Sequence, residues 1–172
     1  MGLFTSSAAL NTFDELFVEQ LEDLYDAEKR LTQALPKMAQ AAHNQSLKTG
    51  FQEHLRQTEN HVKRLEESFR ILGKSARSKT CQAMKGLIAE GEEVISGSGD
   101  AAVKDAALIA AAQRVEHYEI AGYGTVRTFA QRLGRSDIAR LLQETLEEEA
   151  ATDKKLTSIA EQTINPKAAA TR

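Results

Sequence analysis

Tryptophan is absent from this 172-residue chain, cysteine occurs once, proline twice and glycine ten times. The lone Cys81 excludes an internal disulfide and any Cys-x-x-Cys electron relay of the rubredoxin kind. So few prolines and glycines leave few breaks, and the abundant alanine, leucine, glutamate, lysine and glutamine are all good helix formers. No run alternates apolar and polar residues between turn signals, so no sheet is expected. No apolar stretch reaches the ~20 residues that span a bilayer, which argues against a membrane-embedded chain. A basic excess is lacking too: 22 Lys and Arg stand against 25 Asp and Glu, a net charge of −3. That balance argues against a nucleic-acid partner, and sparse cysteine fits a reducing cytoplasm.

Residues 1–10 carry no basic n-region and no long apolar core, so a secretory signal is not expected. Met1, Gly2 and Ser6 fit the short myristoylation pattern, which we attribute to chance. We divide the chain into a flexible N-terminus (1–11), one helical domain (12–163) and a flexible C-terminal tail (164–172). A chain of this length buries roughly 70% of the surface it exposes when unfolded, enough for a full core.

Five helices are expected. The first spans about 12–42, with Thr12 and Glu15 forming a capping-box pattern and Pro36 predicting a bend. A turn over 43–48 leads to the second, about 49–72, which Gly73 ends. After a basic stretch (74–79), a short helix occupies about 80–95. Ser96-Gly97-Ser98-Gly99 is a loop. Asp100 caps a helix reaching about Leu133, Gly134 stops it, and Ser136 caps the last, about 137–162. Asn165-Pro166 and the alanine-rich end read as frayed. Two long antiparallel hairpins joined by about 28 residues make an all-α four-helix bundle with one long crossover carrying a short fifth helix, the ferritin-like connectivity.

Each long helix has a polar residue on its apolar row. Phe17, Leu21, Leu24, Glu28, Leu31, Leu35 and Met38 share one face, and a lone carboxylate there costs several kcal/mol unless something compensates it. The second row holds Phe51, His54, Thr58, His61 or Val62, Leu65 and Phe69, with Gln57 one turn from His54. The row after the crossover holds Ile109, Gln113, Glu116, Ile120 and Tyr123, with Glu119 one turn beyond Glu116. The last holds Ile138, Leu142, Thr145, Glu149, Thr152 and Leu156, with Glu148 and Asp153 nearby. Residues three or four apart share a helix face. Counting from the two turns, Glu28 falls opposite the high fifties to low sixties, and Glu116 and Glu119 opposite about 149–153. Carboxylates with imidazole suit iron and manganese, and two divalent ions would cancel the charge of four carboxylates. The alternative is that these groups are protonated, or paired with Arg114 or Arg127.

The segments L-Y-D-A-E-K-R-L (24–31), H-L-R-Q-T (54–58), A-A-Q-R-V-E-H-Y-E-I-A-G-Y-G (111–124) and L-E-E-E (146–149) resemble the YciF-type branch of the ferritin-like superfamily over about residues 12–162. The resemblance implies a ferritin-like bundle akin to rubrerythrin and di-iron carboxylate proteins, an association with bacterial stress, and frequent dimers, without a settled activity. Di-iron proteins place a Glu on two helices and Glu-x-x-His on the other two. Glu28 and Glu116 match the first requirement. Thr152 stands where the last helix would carry its His, and the second helix has Gln57 where relatives tend to have Glu.

The expected metal ligands are therefore Glu28, His54, Gln57, Glu116, Glu119 and Glu149, holding iron or manganese, at most as a di-metal centre. Gln57 would be a weak ligand or an assisting donor, and Tyr25 a donor to Glu28 or a packing residue. The expected function is a stress-associated protein handling peroxide or oxygen. The alternative is a non-enzymatic structural or interaction bundle; a storage cage is disfavoured, as no added helix or acidic mineral channel is evident. The alanine face over 101–111 and the crossover stripe predict a homodimer.

Overall fold

The computed structural model describes residues 10–171. The expectations for residues 1–9, the flexible N-terminus and the lipidation and signal patterns, lie outside the described residues. Among the described residues six α-helices follow one another: α1 (Phe13–Ala41), α2 (Gln45–Ile71), α3 (Gln82–Ser96), α4 (Ala101–Arg132), α5 (Ser136–Ile159) and α6 (Asn165–Ala170). No strand occurs among the described residues. Helices α1 and α2 form one hairpin and α4 and α5 the other. The hairpins pack through α2 against α5 and α1 against α4, and α3 lies across α1 and α4.

Local chemistry sets most boundaries. Thr12 and Glu15 form a reciprocal capping box on α1, and Asp100 caps α4 by accepting from Ala102 and Val103. Gly73 and Gly134 adopt left-handed backbone with φ of 65° and 70°. Each ends its helix in a Schellman pattern, with Lys74 N–H reaching Phe69 O and Arg135 N–H reaching Ala130 O. α1 passes through Pro36, which is exposed, and continues to Ala41.

Three boundaries differ from the sequence expectation. α2 begins at Gln45 rather than 49, because the Asn44 side chain caps it by accepting from Ser46 and Leu47. Ser136 is the first residue of α5 and not its cap; Arg135 precedes it and supplies no side-chain cap. The segment 160–170 is helical. α5 runs into a π-helical turn, Ala160–Ile164, and then α6. Ala160 and Ile164 are buried in the core, so hydrophobic contact holds the segment down. Pro166 falls in the first turn of α6, directly after the π-helical turn.

The apolar core is in two parts. One cluster gathers the turn-side end of the first hairpin, with Leu31, Leu35, Phe51, Leu108, Ile109 and Leu156. The other gathers Phe17, Leu21, Leu65, Phe69, Tyr123, Val126 and Leu142. On every long helix the residues between the two clusters are polar: Glu28; His54, Thr58 and His61; Glu116 and Glu119; Thr145 and Glu149. All are buried.

Candidate metal centre

The polar layer lies midway along the bundle because each helix carries its hydrophilic break at matching distance from its hairpin turn. His61 Nδ1 lies 2.9 Å from Glu149 Oε1 and 3.4 Å from Glu28 Oε1. His54 Nε2 lies 3.3 Å from Glu116 Oε1 and 3.6 Å from Glu149 Oε2. Two triads result, Glu28–His61–Glu149 and His54–Glu116–Glu149. Within each triad one ligand atom per residue falls within 4.8 Å of the others, and Glu149 joins the two. The two imidazoles are neighbours, with ring centroids 6.2 Å apart. Glu119, one turn from Glu116, is fully buried in the same layer.

Satisfaction of these groups is incomplete. Both oxygens of Glu119, Oε2 of Glu28 and Oε2 of Glu116 are buried without a hydrogen-bond partner among the described residues. Native proteins leave few buried polar groups unpaired, so a cluster of them in one layer calls for an absent partner. Electrostatics agree. Burial, then the charge of Glu149, pushes the Glu116 and Glu119 carboxyls well above their ordinary range. Burial likewise raises Glu28 against the pull of His61. Burial would raise Glu149 as well, but the His61 hydrogen bond and the charge of His54 outweigh it and hold the group low. Burial would lower His61, but Glu28 and Glu149 outweigh it and push it up to about 10. The layer thus favours the protonated forms of His61, Glu28, Glu116 and Glu119 and the ionised form of Glu149.

The donor set fits two divalent ions. Four carboxylates carry four negative charges, two neutral imidazoles add nitrogen donors, and oxygen with imidazole nitrogen suits iron or manganese. The bundle pattern of two Glu and two Glu-x-x-His motifs supplies the same four carboxylates and two imidazoles. Here both imidazoles sit on α2, and α4 supplies two carboxylates.

Of the residues picked out in the sequence, Glu28, His54, Glu116, Glu119 and Glu149 come together in this layer. Gln57 does not join them. Its Oε1 lies 3.3 Å from His54 Nδ1, on the outer side of the ring, beside Thr152 Oγ1 at the same distance. Tyr25 donates to Glu66 instead of Glu28 (2.8 Å); the donor to Glu28 Oε1 is the buried Tyr123 hydroxyl. Arg114 reaches towards exposed Glu90, and Arg127 bonds Gln143, so neither neutralises the core. The arginine that matters is Arg64. It grips Glu148 through two nitrogens (2.6 and 3.1 Å), and Glu148 Oε2 meets His61 Nε2 at 2.8 Å. His61, seven residues from His54, lies on the same face, and that spacing could have selected it over Val62. Nothing in the periodicity of α5 marks Glu148, which lies off the buried row.

Residues 12–169 match the family described as a domain of unknown function, DUF892. The chain belongs to that family. It is 48% identical to protein YciF of Escherichia coli over 161 residues, covering 92% of this chain and 96% of that one. The crystal structure of that E. coli protein, described as a stress protein, superposes with a TM-score of 0.87 over 90% of this chain and 98% of that chain. YcfI of Rhodopseudomonas palustris is 41% identical, with a TM-score of 0.86 over 92% and 99%. A ferritin-like, diiron-carboxylate protein of Bacillus anthracis shares the fold at 15% identity and a TM-score of 0.68, over 87% and 98%. This family member therefore has a ferritin-like helical bundle. No helix among its described residues is long and apolar enough to cross a membrane.

Proposed function

We propose that this protein binds two iron or manganese ions in the mid-bundle layer and acts on peroxide or oxygen as part of a stress response in the cytoplasm. The observation that carries the reading is the pair of buried, unpartnered oxygens of Glu119 beside three more buried carboxylates and two imidazoles. Glu28, Glu116, Glu119 and Glu149 would supply oxygen donors, and His54 and His61 nitrogen donors. Bound iron or manganese would supply one-electron redox chemistry at an oxygen-rich site. The protein's own contribution is to exclude water with the two flanking apolar clusters and to fix the donors. The Tyr123 hydroxyl holds Glu28 Oε1, and Arg64 fixes Glu148 against His61. The likeness to an E. coli protein described as a stress protein supports the physiological setting.

Metal analysis of protein purified without chelator tests the reading, followed by anaerobic Fe(II) loading and peroxide addition. Two ions per chain and peroxide-dependent oxidation of iron are expected. A chain that takes up no metal would leave the alternative, a bundle acting through assembly alone. We also propose a homodimer; the α3 stripe, Met84, Leu87, Ile88 and Ile95, packs on this chain's own core, which leaves the exposed alanines of α4, Ala101 and Ala110, for the contact.

A further inference from the structure

The two imidazoles present opposite ring nitrogens to the interior and are held from behind by unlike partners. His61 faces Glu28 and Glu149 with Nδ1, while its Nε2 meets the carboxylate of Glu148 at 2.8 Å. Glu148 is itself clamped by Arg64. His54 faces Glu116 and Glu149 with Nε2, while its Nδ1 lies 3.3 Å from each of two neutral groups, Gln57 Oε1 and Thr152 Oγ1. Both imidazoles are buried, His54 at 2% and His61 at 0% exposure, and Gln57, Thr152 and Glu148 behind them are all half-buried. Gln57 and Thr152 line a cleft of about 150 Å³ between α2 and α5, with Glu53 and Lys155 on its wall.

A carboxylate behind a metal-binding imidazole fixes the tautomer, orients the ring and raises the basicity of the inward nitrogen; a neutral acceptor does less. Resting on the two-ion reading above, we propose that the layer is two unequal divalent-cation sites. Glu28–His61–Glu149 is the tight site, set by the positioning residue Glu148. His54–Glu116–Glu149 is the weaker site, and the two residues behind its imidazole, Gln57 and Thr152, line the α2–α5 cleft. Gln57 and Thr152 are positioning residues for His54, and Gln57 is not a ligand.

Mn(II) titration by calorimetry, with free Mn(II) followed by electron paramagnetic resonance, tests this on the full chain. Wild type should bind two ions in separate steps, at least about tenfold apart in affinity. Glu148→Gln should weaken the tight step alone, by about 10–100-fold. Thr152→Val should weaken the second step alone and leave the first untouched. A purely structural role for these side chains would move both steps together, and melting curves in chelator identify any variant that has lost its fold. Two ions bound with equal affinity in wild type, or both steps weakened alike by either folded variant, would overturn the proposal while leaving the two-ion reading intact. No Mn(II) binding by wild type would overturn both.

Discussion

Two carboxylate oxygens of Glu119 lie inside the protein with no donor facing them. A buried polar group without a partner costs about 1–3 kcal/mol. Glu119→Leu should therefore stabilise the metal-free protein by about that amount, which for a chain of this size raises Tm by roughly 2–4 °C per kcal/mol. The same variant should lose most of the stabilisation that Mn(II) confers on wild type, which mass action puts at about 2.7 kcal/mol for metal at one hundred times its dissociation constant. Paired melting curves with and without Mn(II) measure both effects. A variant strongly destabilised in chelator, in a background where metal leaves wild type unchanged, would show Glu119 to be half of a structural ion pair. Glu116 and Glu149 were readable as anomalies on apolar rows. Glu148 was not, because its importance comes from Arg64 and His61 on another helix.

At the scale of the helices, one carboxylate far along the chain decides where α2 begins. Asp105 of α4 is buried, and it accepts from the backbone N–H groups of His43 (2.9 Å) and Asn44 (2.7 Å) in the α1–α2 turn. Asn44 then caps α2. Asp105→Ala would strand two backbone donors next to a charged-group cavity, and should destabilise the protein by about 2–3 kcal/mol. Its metal stoichiometry should stay at the wild-type value, since the turn lies a cluster away from the polar layer. Denaturant unfolding checks the first effect; a loss under about 0.5 kcal/mol would show that water replaces the carboxylate without strain. The sequence placed α2 four residues late because this cap is stabilised by a partner from another hairpin. The same holds at the far end, where Ile164 finds its place in the core and keeps the last segment helical.

For the whole molecule, stability should depend on pH with a sign set by metal. Without metal, Glu28, Glu116 and Glu119 have raised values in the folded state, against an ordinary value near 4.5. Their contribution is present below that ordinary value and is lost as pH rises through the folded values. His61 acts in the same sense: raised from 6.5 to about 10, its contribution is full below 6.5 and lost as pH rises through about 10. Glu149, held low, contributes above its ordinary value and loses that contribution as pH falls through its folded value. The metal-free Tm should thus fall from about pH 5.5 to 8, because the folded state binds more protons than the unfolded one. With Mn(II) bound, the carboxylates must be ionised and the imidazoles neutral, so the folded state binds fewer protons and Tm should rise over the same range. Parallel slopes in chelator and in Mn(II) would refute the assignment. Light scattering at micromolar concentration tests the homodimer, expected at twice 18.9 kDa; a monomeric mass would overturn it.

What the sequence determined by itself is what short-range periodicity encodes. Leu and Phe at steps of three and four define the buried rows, Thr12, Asp100, Gly73 and Gly134 define helix ends, and the absence of alternation excludes a sheet. The rows even located the polar layer, because a carboxylate on an apolar face is anomalous wherever the helix packs. Tertiary structure alone decided which nitrogen of each imidazole faces inward, that Tyr123 and not Tyr25 holds Glu28, and that Gln57 stands behind His54. The Tyr123–Glu28 and Thr152–His54 contacts join different helices, 95 and 98 residues apart along the chain, and Gln57, on the same helix as His54, is held there by Thr152 Oγ1. Periodicity within one helix fixes which face is buried; it carries no information on what the opposing helix brings to that face.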